Sequence, residues 1–173
     1  VYDPGTDEYP NGYSNKGTHT INPKLTGTSD YKEGWKKLGW FVDEAHKRNI
    51  RIILDVITWG IWGDSPLVTE HPEYVTTLNA EGNYFYNWNN DNFVEYFISS
   101  MVDIAKITGC DGFRWDTEPD PTRANYDVAL EVRERLWALG KKPLMISERE
   151  NDRGGAYDLG QAGMTEGVSH DVY

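Results

Sequence analysis

Short apolar runs that alternate with amphipathic segments constrain the fold of this chain more than any other feature. The runs with the composition of strands are residues 50–57, 110–116 and 143–148. The segments with apolar residues every three or four positions, typical of helices with one buried face, are residues 31–48, 92–109 and 123–139. Helix and strand in alternation, with short turns from helix to strand, predict right-handed crossovers and a parallel sheet. The predicted fold class is therefore α/β.

The length of the chain bears on which α/β fold this is. A (β/α)8 TIM barrel usually needs about 250 residues, whereas these 173 residues contain three clear strands and a weaker one at residues 167–173. The chain is thus either part of a barrel or a smaller sheet. A doubly wound fold is the alternative, but no Gly-x-Gly-x-x-Gly turn follows a strand, so a dinucleotide site has no support.

The other segments complete a single predicted domain over residues 1–173. Residues 1–30 show no helical or strand period and predict an irregular lead-in, with a turn at residues 10–12. Residues 58–91 predict one long loop, whose aromatic residues are Trp59, Trp62, Tyr74, Tyr84, Phe85, Tyr86 and Trp88. Asn92 with Glu95 predicts a capping box for the second helix, while Gly109 and Gly140 predict the ends of the second and third.

Charge and composition exclude several functions. The net charge of −11 repels nucleic acids and anionic membranes, so neither is an expected partner. No apolar stretch approaches the roughly 20 residues that span a bilayer. Cys110 cannot form an internal disulfide and is expected to be a buried, inert thiol. No His/Cys cluster has metal spacing and no nucleophile elbow occurs, which disfavours acyl transfer and leaves no cofactor to predict.

Two carboxylates each close an apolar run, namely Asp116 and Glu148. In a parallel barrel the chemistry lies at the C-terminal ends of the strands, so both acids are candidate catalytic residues. The alternative is that they cap helices or solvate loops. Arg114 lies two residues before Asp116 on the same strand face, where its charge favours an ionised Asp116. It could instead neutralise Asp116 or Asp55 in a structural ion pair.

Three segments resemble successive motifs of the alpha-amylase superfamily, the family 13 glycoside hydrolases. They are Asn-Ile-Arg-Ile-Ile-Leu-Asp-Val-Ile at 49–57, Asp-Gly-Phe-Arg-Trp-Asp at 111–116 and Ile-Ser-Glu at 146–148. Residues 21–30 and 44–48 also resemble the approach to that family's third strand, and the similarity covers roughly residues 20–150. The resemblance implies a TIM-type barrel of which about the third to sixth βα units are present.

The resemblance also implies a role for each matching residue. Asp116 would be the nucleophile of a retaining double displacement, Glu148 the general acid and base, Arg114 the partner of the nucleophile, and Asp55 a carboxylate below the sugar. Retention requires carboxyl groups roughly 5 to 5.5 Å apart. Glu150 competes with Glu148 as the acid, and Glu118 is expected in the loop or at a sugar hydroxyl.

The sequence departs from the family pattern in two places. Trp59-Gly60 stands where the family usually has Asn-His, so a sugar-contacting His and an Asn often near calcium are missing, and calcium has no support. The third carboxylate of the family follows a His, as in His170-Asp171, but this pair would fall on the sixth strand rather than the seventh. His170 is equally an ordinary surface or core histidine.

Aromatic side chains in the long loop have two interpretations. Their rings could bind the apolar faces of sugars, with Trp62 and Trp88 the best candidates and Trp59 and Trp115 also considered, or they could form a satellite core. The expected substrate is an oligo- or polysaccharide with alpha-glycosidic bonds, and the expected partner is the remainder of the barrel or a second copy. A secreted or periplasmic location is slightly favoured.

Three other functions stay open on the sequence. The chain could belong to another clan of barrel glycosidases, which takes its acid from the sixth strand. It could bind glycan without hydrolysing it. It could also be a non-enzymatic module with exposed strand edges.

Overall fold

The computed structural model describes residues 2–4, 15–116 and 127–147. The predicted site residues Glu118, Glu148, His170 and Asp171, the competing Glu150, and the predicted turn at residues 10–12 lie outside these ranges. The described helices are α1 Pro23–Thr26, α2 Tyr31–His46, α3 Pro66–Glu70, α4 Asp91–Thr108 and α5 Asp127–Ala138, with a 3₁₀ turn at Pro72–Tyr74. The described strands are β1 Ile53–Ile57, β2 Gly60–Trp62, β3 Val75–Leu78, β4 Asn83–Tyr86, β5 Gly112–Asp116 and β6 Leu144–Ser147.

A parallel sheet in the order β1-β5-β6 organises the fold. Helix α4 precedes β5 and α5 precedes β6, so each strand is reached through a helical crossover, as the sequence predicted. In the register of the sheet Asp55 lies beside Arg114 and Ile57 beside Asp116. The α/β class and the parallel sheet are confirmed.

The two faces of this sheet differ in composition. Leu54, Val56, Phe113, Trp115 and Met145 alternate onto one face and are buried. The ring of Phe97 from α4 packs on Trp115 there, so this is the face that the helices cover. Asp55, Arg114 and Ile146 occupy the opposite face, which is half-buried. A barrel turns its uncovered face inward.

Helix boundaries follow from local capping. The Asp30 side chain accepts a hydrogen bond from the Glu33 backbone N–H and begins α2. Asn90 accepts from the backbone N–H groups of Asn92 and Phe93, so the cap of α4 lies two residues before the predicted Asn92. Glu95 forms no capping box because it lies five residues after this cap rather than three, and its carboxylate binds Arg135 of α5 instead. Gly109 ends α4 in the left-handed conformation, as predicted.

The prediction of one long loop at residues 58–91 is wrong. This segment forms a second sheet, antiparallel, in the order β2-β4-β3, and also contains α3. We call residues 58–90 the excursion. Its strands have three or four residues, too few to establish a period, and backbone pairing with neighbours distant in sequence decides their structure.

The lead-in contains more structure than the sequence predicted. Asn22 caps the short helix α1, which ends at Gly27 in the left-handed conformation. The backbone carbonyls of Asn15, Lys16 and His19 accept hydrogen bonds from the Trp62 backbone, the Ser65 hydroxyl and the Trp35 indole. Long-range contacts therefore order a segment that lacks any period of its own.

Cys110 is buried just before β5, and burial raises the pKa of its thiol, as expected for a packed cysteine. None of the helices in the described ranges has the length and hydropathy needed to cross a membrane.

Candidate active site

Asp116 ends β5 at the C-terminal edge of the parallel sheet. The residue is 7% exposed. Its backbone carbonyl accepts two hydrogen bonds from Thr58, one from the backbone N–H at 3.2 Å and one from the hydroxyl at 2.7 Å. These two hydrogen bonds therefore fix the backbone of Asp116 to the residue that directly follows β1.

Arg114 and Asp55 form an ion pair on the face that carries Asp116. Arg114 Nη1 donates to Asp55 Oδ1 at 3.0 Å, and the two side chains are 21% and 44% exposed. This contact corresponds to the structural ion pair that the sequence left open. It also places a guanidinium two residues before Asp116 on the same strand face. The structure brings three of the four predicted catalytic residues to one edge of the sheet.

The departure at Trp59-Gly60 is a consequence of the excursion. Gly60 pairs with Phe85 across β2 and β4, and a Cβ at Gly60 would lie 2.3 Å from the carbonyl oxygen of Tyr84. A backbone oxygen cannot move aside as a side-chain tip can. This backbone thus excludes a His at position 60.

Two of the four tryptophans proposed as sugar contacts are in the core. Trp115 is 0% and Trp88 5% exposed. Trp88 packs edge-on against Phe93 and Phe97, and its indole N–H donates to the Thr58 carbonyl at 3.1 Å. These two predictions are wrong because both rings fill the layer between sheet and helices, as the satellite-core interpretation required.

Trp59 and Trp62 remain partly exposed. Trp59 directly follows Thr58 and meets Phe85 edge-on, with ring centroids 6.2 Å apart. Phe85 is 38% exposed. The sequence analysis counted Phe85 among the loop aromatics and did not single it out, because the run Tyr84-Phe85-Tyr86 is aromatic throughout and only the structure shows Phe85 exposed and Tyr86 buried. Thr58 was also missed, and no local pattern marks it.

Titratable groups elsewhere in the described structure have shifted pKa values. Burial raises the pKa of Tyr2 above its ordinary range, and the charges of Cys110 and Asp55 add to the shift. Burial lowers the pKa of His19, whose Nδ1 shares a hydrogen bond with the Tyr96 hydroxyl. Burial also raises the pKa of Tyr96 to about 12. Within the described ranges no three His, Cys, Asp or Glu residues cluster closely enough to hold a metal ion.

Solved structures with a similar fold include alpha-amylases and a pullulanase. The alpha-amylase of Geobacillus thermoleovorans, solved with acarbose, superposes with a TM-score of 0.69 and 18% identity over 88% of this chain and 36% of its own. The maltogenic alpha-amylase AmyB of Thermotoga neapolitana gives 0.64 and 25% over 84% and 34%. The pullulanase of Paenibacillus barengoltzii, solved with maltohexaose and alpha-cyclodextrin, gives 0.66 and 19% over 81% and 23%.

The chain spans about a quarter to a third of the length of these proteins. Its sequence matches no protein-family model and no curated protein. The similarity therefore lies in the fold and extends over most of the chain. The resemblance to the alpha-amylase superfamily is confirmed, and this chain has the fold of part of that superfamily's catalytic barrel.

Proposed function

We propose that this chain is the part of a glycoside hydrolase or transglycosidase that carries the nucleophile for retaining cleavage of alpha-glucosidic bonds. The observation that carries this proposal is the position of Asp116, at the C-terminal end of a parallel strand and on the same face as the Arg114–Asp55 ion pair. The fold supports it, because a solved alpha-amylase and a solved pullulanase superpose on most of this chain.

The proposed reaction has two displacements. An Asp116 carboxylate oxygen attacks the anomeric carbon while Glu148 gives its proton to the departing glycosidic oxygen, which leaves as an alcohol. A glycosyl ester on Asp116 results. Glu148, now ionised, takes a proton from water or from an acceptor hydroxyl, whose oxygen attacks the anomeric carbon and releases the Asp116 carboxylate.

The remaining described residues have supporting roles in this proposal. Arg114 favours the ionised form of the nucleophile, and Asp55 orients Arg114 and accepts hydrogen bonds from sugar hydroxyls. Trp59 and Trp62, with Phe85 beside Trp59, offer aromatic surface to the apolar faces of glucose rings. Glu118 is proposed as a further sugar contact from its place two residues after Asp116, and His170 and Asp171 from the resemblance of this pair to the family's His and third carboxylate.

Covalent trapping tests the proposal directly. The chain is incubated with a fluorinated alpha-glucosyl donor, whose slow second step lets the ester accumulate, and digested for peptide mass spectrometry. We expect the label on Asp116. A label on another carboxylate would overturn the assignment.

A second candidate function is glycan binding without hydrolysis. The observation in its favour is the Gly60 backbone, which has no room for the His that the family usually carries there. Saturable binding of maltohexaose by wild type, together with no label on any carboxylate, would select this function. Absence of both label and binding would favour a non-enzymatic module.

A further inference from the structure

Thr58 connects the proposed nucleophile to the aromatic core through a continuous set of hydrogen bonds. Its backbone N–H and hydroxyl both donate to the Asp116 carbonyl, at 3.2 and 2.7 Å. Its own carbonyl accepts from the Trp88 indole N–H at 3.1 Å. Thr58 is 2% exposed, so water does not compete for these bonds.

These contacts fix the backbone of Asp116 more tightly than strand pairing does. The bond from the Thr58 N–H continues the ladder between β1 and β5, whereas the hydroxyl bond is additional and shorter. A β-branched threonine also has few side-chain rotamers, which keeps the hydroxyl aimed at the carbonyl. The direction of the Asp116 side chain follows from the backbone that Thr58 holds.

The other end of this connection is anchored in the most densely aromatic part of the described core. The Trp88 ring centroid lies 5.0 Å from those of both Phe93 and Phe97, which belong to α4. Trp88 itself lies near the end of the excursion. The hydrogen bonds of Thr58 thus connect the end of β5 to Trp88, whose ring packs against α4.

We infer that Thr58 is a positioning residue for the nucleophile, with Trp88 as its support. A nucleophile must approach the anomeric carbon within a few tenths of an ångström of the productive geometry, and small displacements reduce the rate steeply. This inference rests on the proposed function, since it needs Asp116 to attack. It predicts an effect on the bond-forming step rather than on substrate binding.

The test compares hydroxyl removal at two buried threonines. Thr58→Val removes the hydroxyl bond to Asp116, Thr58→Ser keeps it, and Trp88→Phe removes the indole donor. Thr108→Val is the matched control, because Thr108 is buried in α4 and its hydroxyl likewise makes backbone hydrogen bonds, donating to the Ile104 carbonyl at 2.7 Å and accepting from the Cys110 N–H at 3.2 Å. Each variant is checked for folding by circular dichroism and then labelled with the fluorinated donor over a range of donor concentrations.

We expect Thr58→Val to lower the limiting rate of Asp116 labelling about tenfold, with the half-saturating donor concentration unchanged. Thr58→Ser should recover most of the rate, Trp88→Phe should be slowed like Thr58→Val, and Thr108→Val should label like wild type. If Thr58→Val does not fold, the labelling rate of Trp88→Phe is compared with those of wild type and Thr108→Val instead.

Three results would overturn the positioning role alone while Asp116 is still labelled. They are a wild-type rate in Thr58→Val, a Thr58→Ser variant as slow as Thr58→Val, and equal slowing in Thr108→Val. No label on Asp116 in wild type would instead overturn the proposed function, and the positioning role with it.

Discussion

The parallel sheet and the excursion differ in how their sequences encode them. Strands β1, β5 and β6 lie in apolar runs, while the excursion strands have three or four residues each and share no side-chain pattern, reading Gly-Ile-Trp, Val-Thr-Thr-Leu and Asn-Tyr-Phe-Tyr. The parallel sheet carries the proposed nucleophile, and the excursion supplies exposed aromatic rings and the support for the end of β5. Chemistry and substrate contact are thus assigned to regions of different architecture.

The largest effect should come from the acid at the C-terminal end of the parallel sheet. Asp116→Asn removes the nucleophile, and we expect turnover of an activated alpha-glucoside to fall roughly a thousandfold or more. The matched control is Asp111→Asn before the same strand, because Asp111 only joins the Ile52 backbone and His46 at the opposite end. An equal loss of turnover in Asp116→Asn and Asp111→Asn would contradict the assignment of catalysis to the C-terminal end of the parallel sheet.

The next effect concerns the junction of the two regions. Phe97 is fully buried and contacts Tyr86 and Trp88 of the excursion and Trp115 of β5. We expect Phe97→Ala to lower the free energy of unfolding by about 3 to 5 kcal/mol, through lost contacts and a cavity. Urea denaturation followed by near-ultraviolet circular dichroism measures this.

Phe85→Ala is the matched aromatic variant, since Phe85 is partly exposed and should cost about 1 kcal/mol or less. Two separate unfolding transitions in Phe97→Ala would show that the regions are less coupled than their shared ring contacts indicate.

A smaller effect should come from the exposed aromatic surface of the excursion. In an Asp116→Asn background, Trp59→Ala should weaken maltohexaose binding about tenfold, the size expected for one lost ring contact. Isothermal titration calorimetry measures this. Trp40→Ala on the outside of α2 is the control, because that ring is well exposed. An unchanged affinity for maltohexaose in Trp59→Ala would contradict the proposal that the excursion contacts the substrate.

The smallest effect lies on the outer surface of the parallel region. Arg135 of α5 makes two hydrogen bonds to Glu95 of α4, at 2.6 and 2.7 Å, and these hold the Glu95 pKa at about 2. Because its pKa is depressed in the fold, ionised Glu95 stabilises the protein at pH values above the unfolded pKa near 4.5. This stabilisation is lost as the pH falls toward the folded-state pKa of about 2. Because both side chains are solvent-accessible, the contribution should be only about 0.5 to 1 kcal/mol and should shrink in salt.

Glu95→Gln tests this contribution by thermal melting between pH 7 and pH 3. The variant should be slightly less stable than wild type at pH 7, and the difference should be clearly smaller at pH 3, which lies between the unfolded pKa near 4.5 and the folded pKa of about 2. A constant difference across that range would mean that packing, rather than charge, joins α4 to α5.

Much of the parallel region followed from the sequence alone. Periodic apolar residues predicted α2, α4 and the order of the three strands, because buried helix faces and strands covered by helices leave strong local patterns. Asp116 could be placed at the C-terminal edge because it closes an apolar run, and Arg114 could be placed on its face by alternation, whereas Asp55 was singled out only through the family resemblance. The resemblance of three short motifs then indicated the superfamily.

Tertiary structure decided what those patterns could not encode. Long-range pairing made a sheet of the excursion, and packing placed the rings of Trp88 and Trp115 inside while Trp59 and Phe85 stayed exposed. The Tyr84 carbonyl excludes a side chain at Gly60, and Thr58 reaches Asp116 across 58 positions of sequence. Local patterns report which residues are buried within one element, whereas these contacts exist only once separate elements meet.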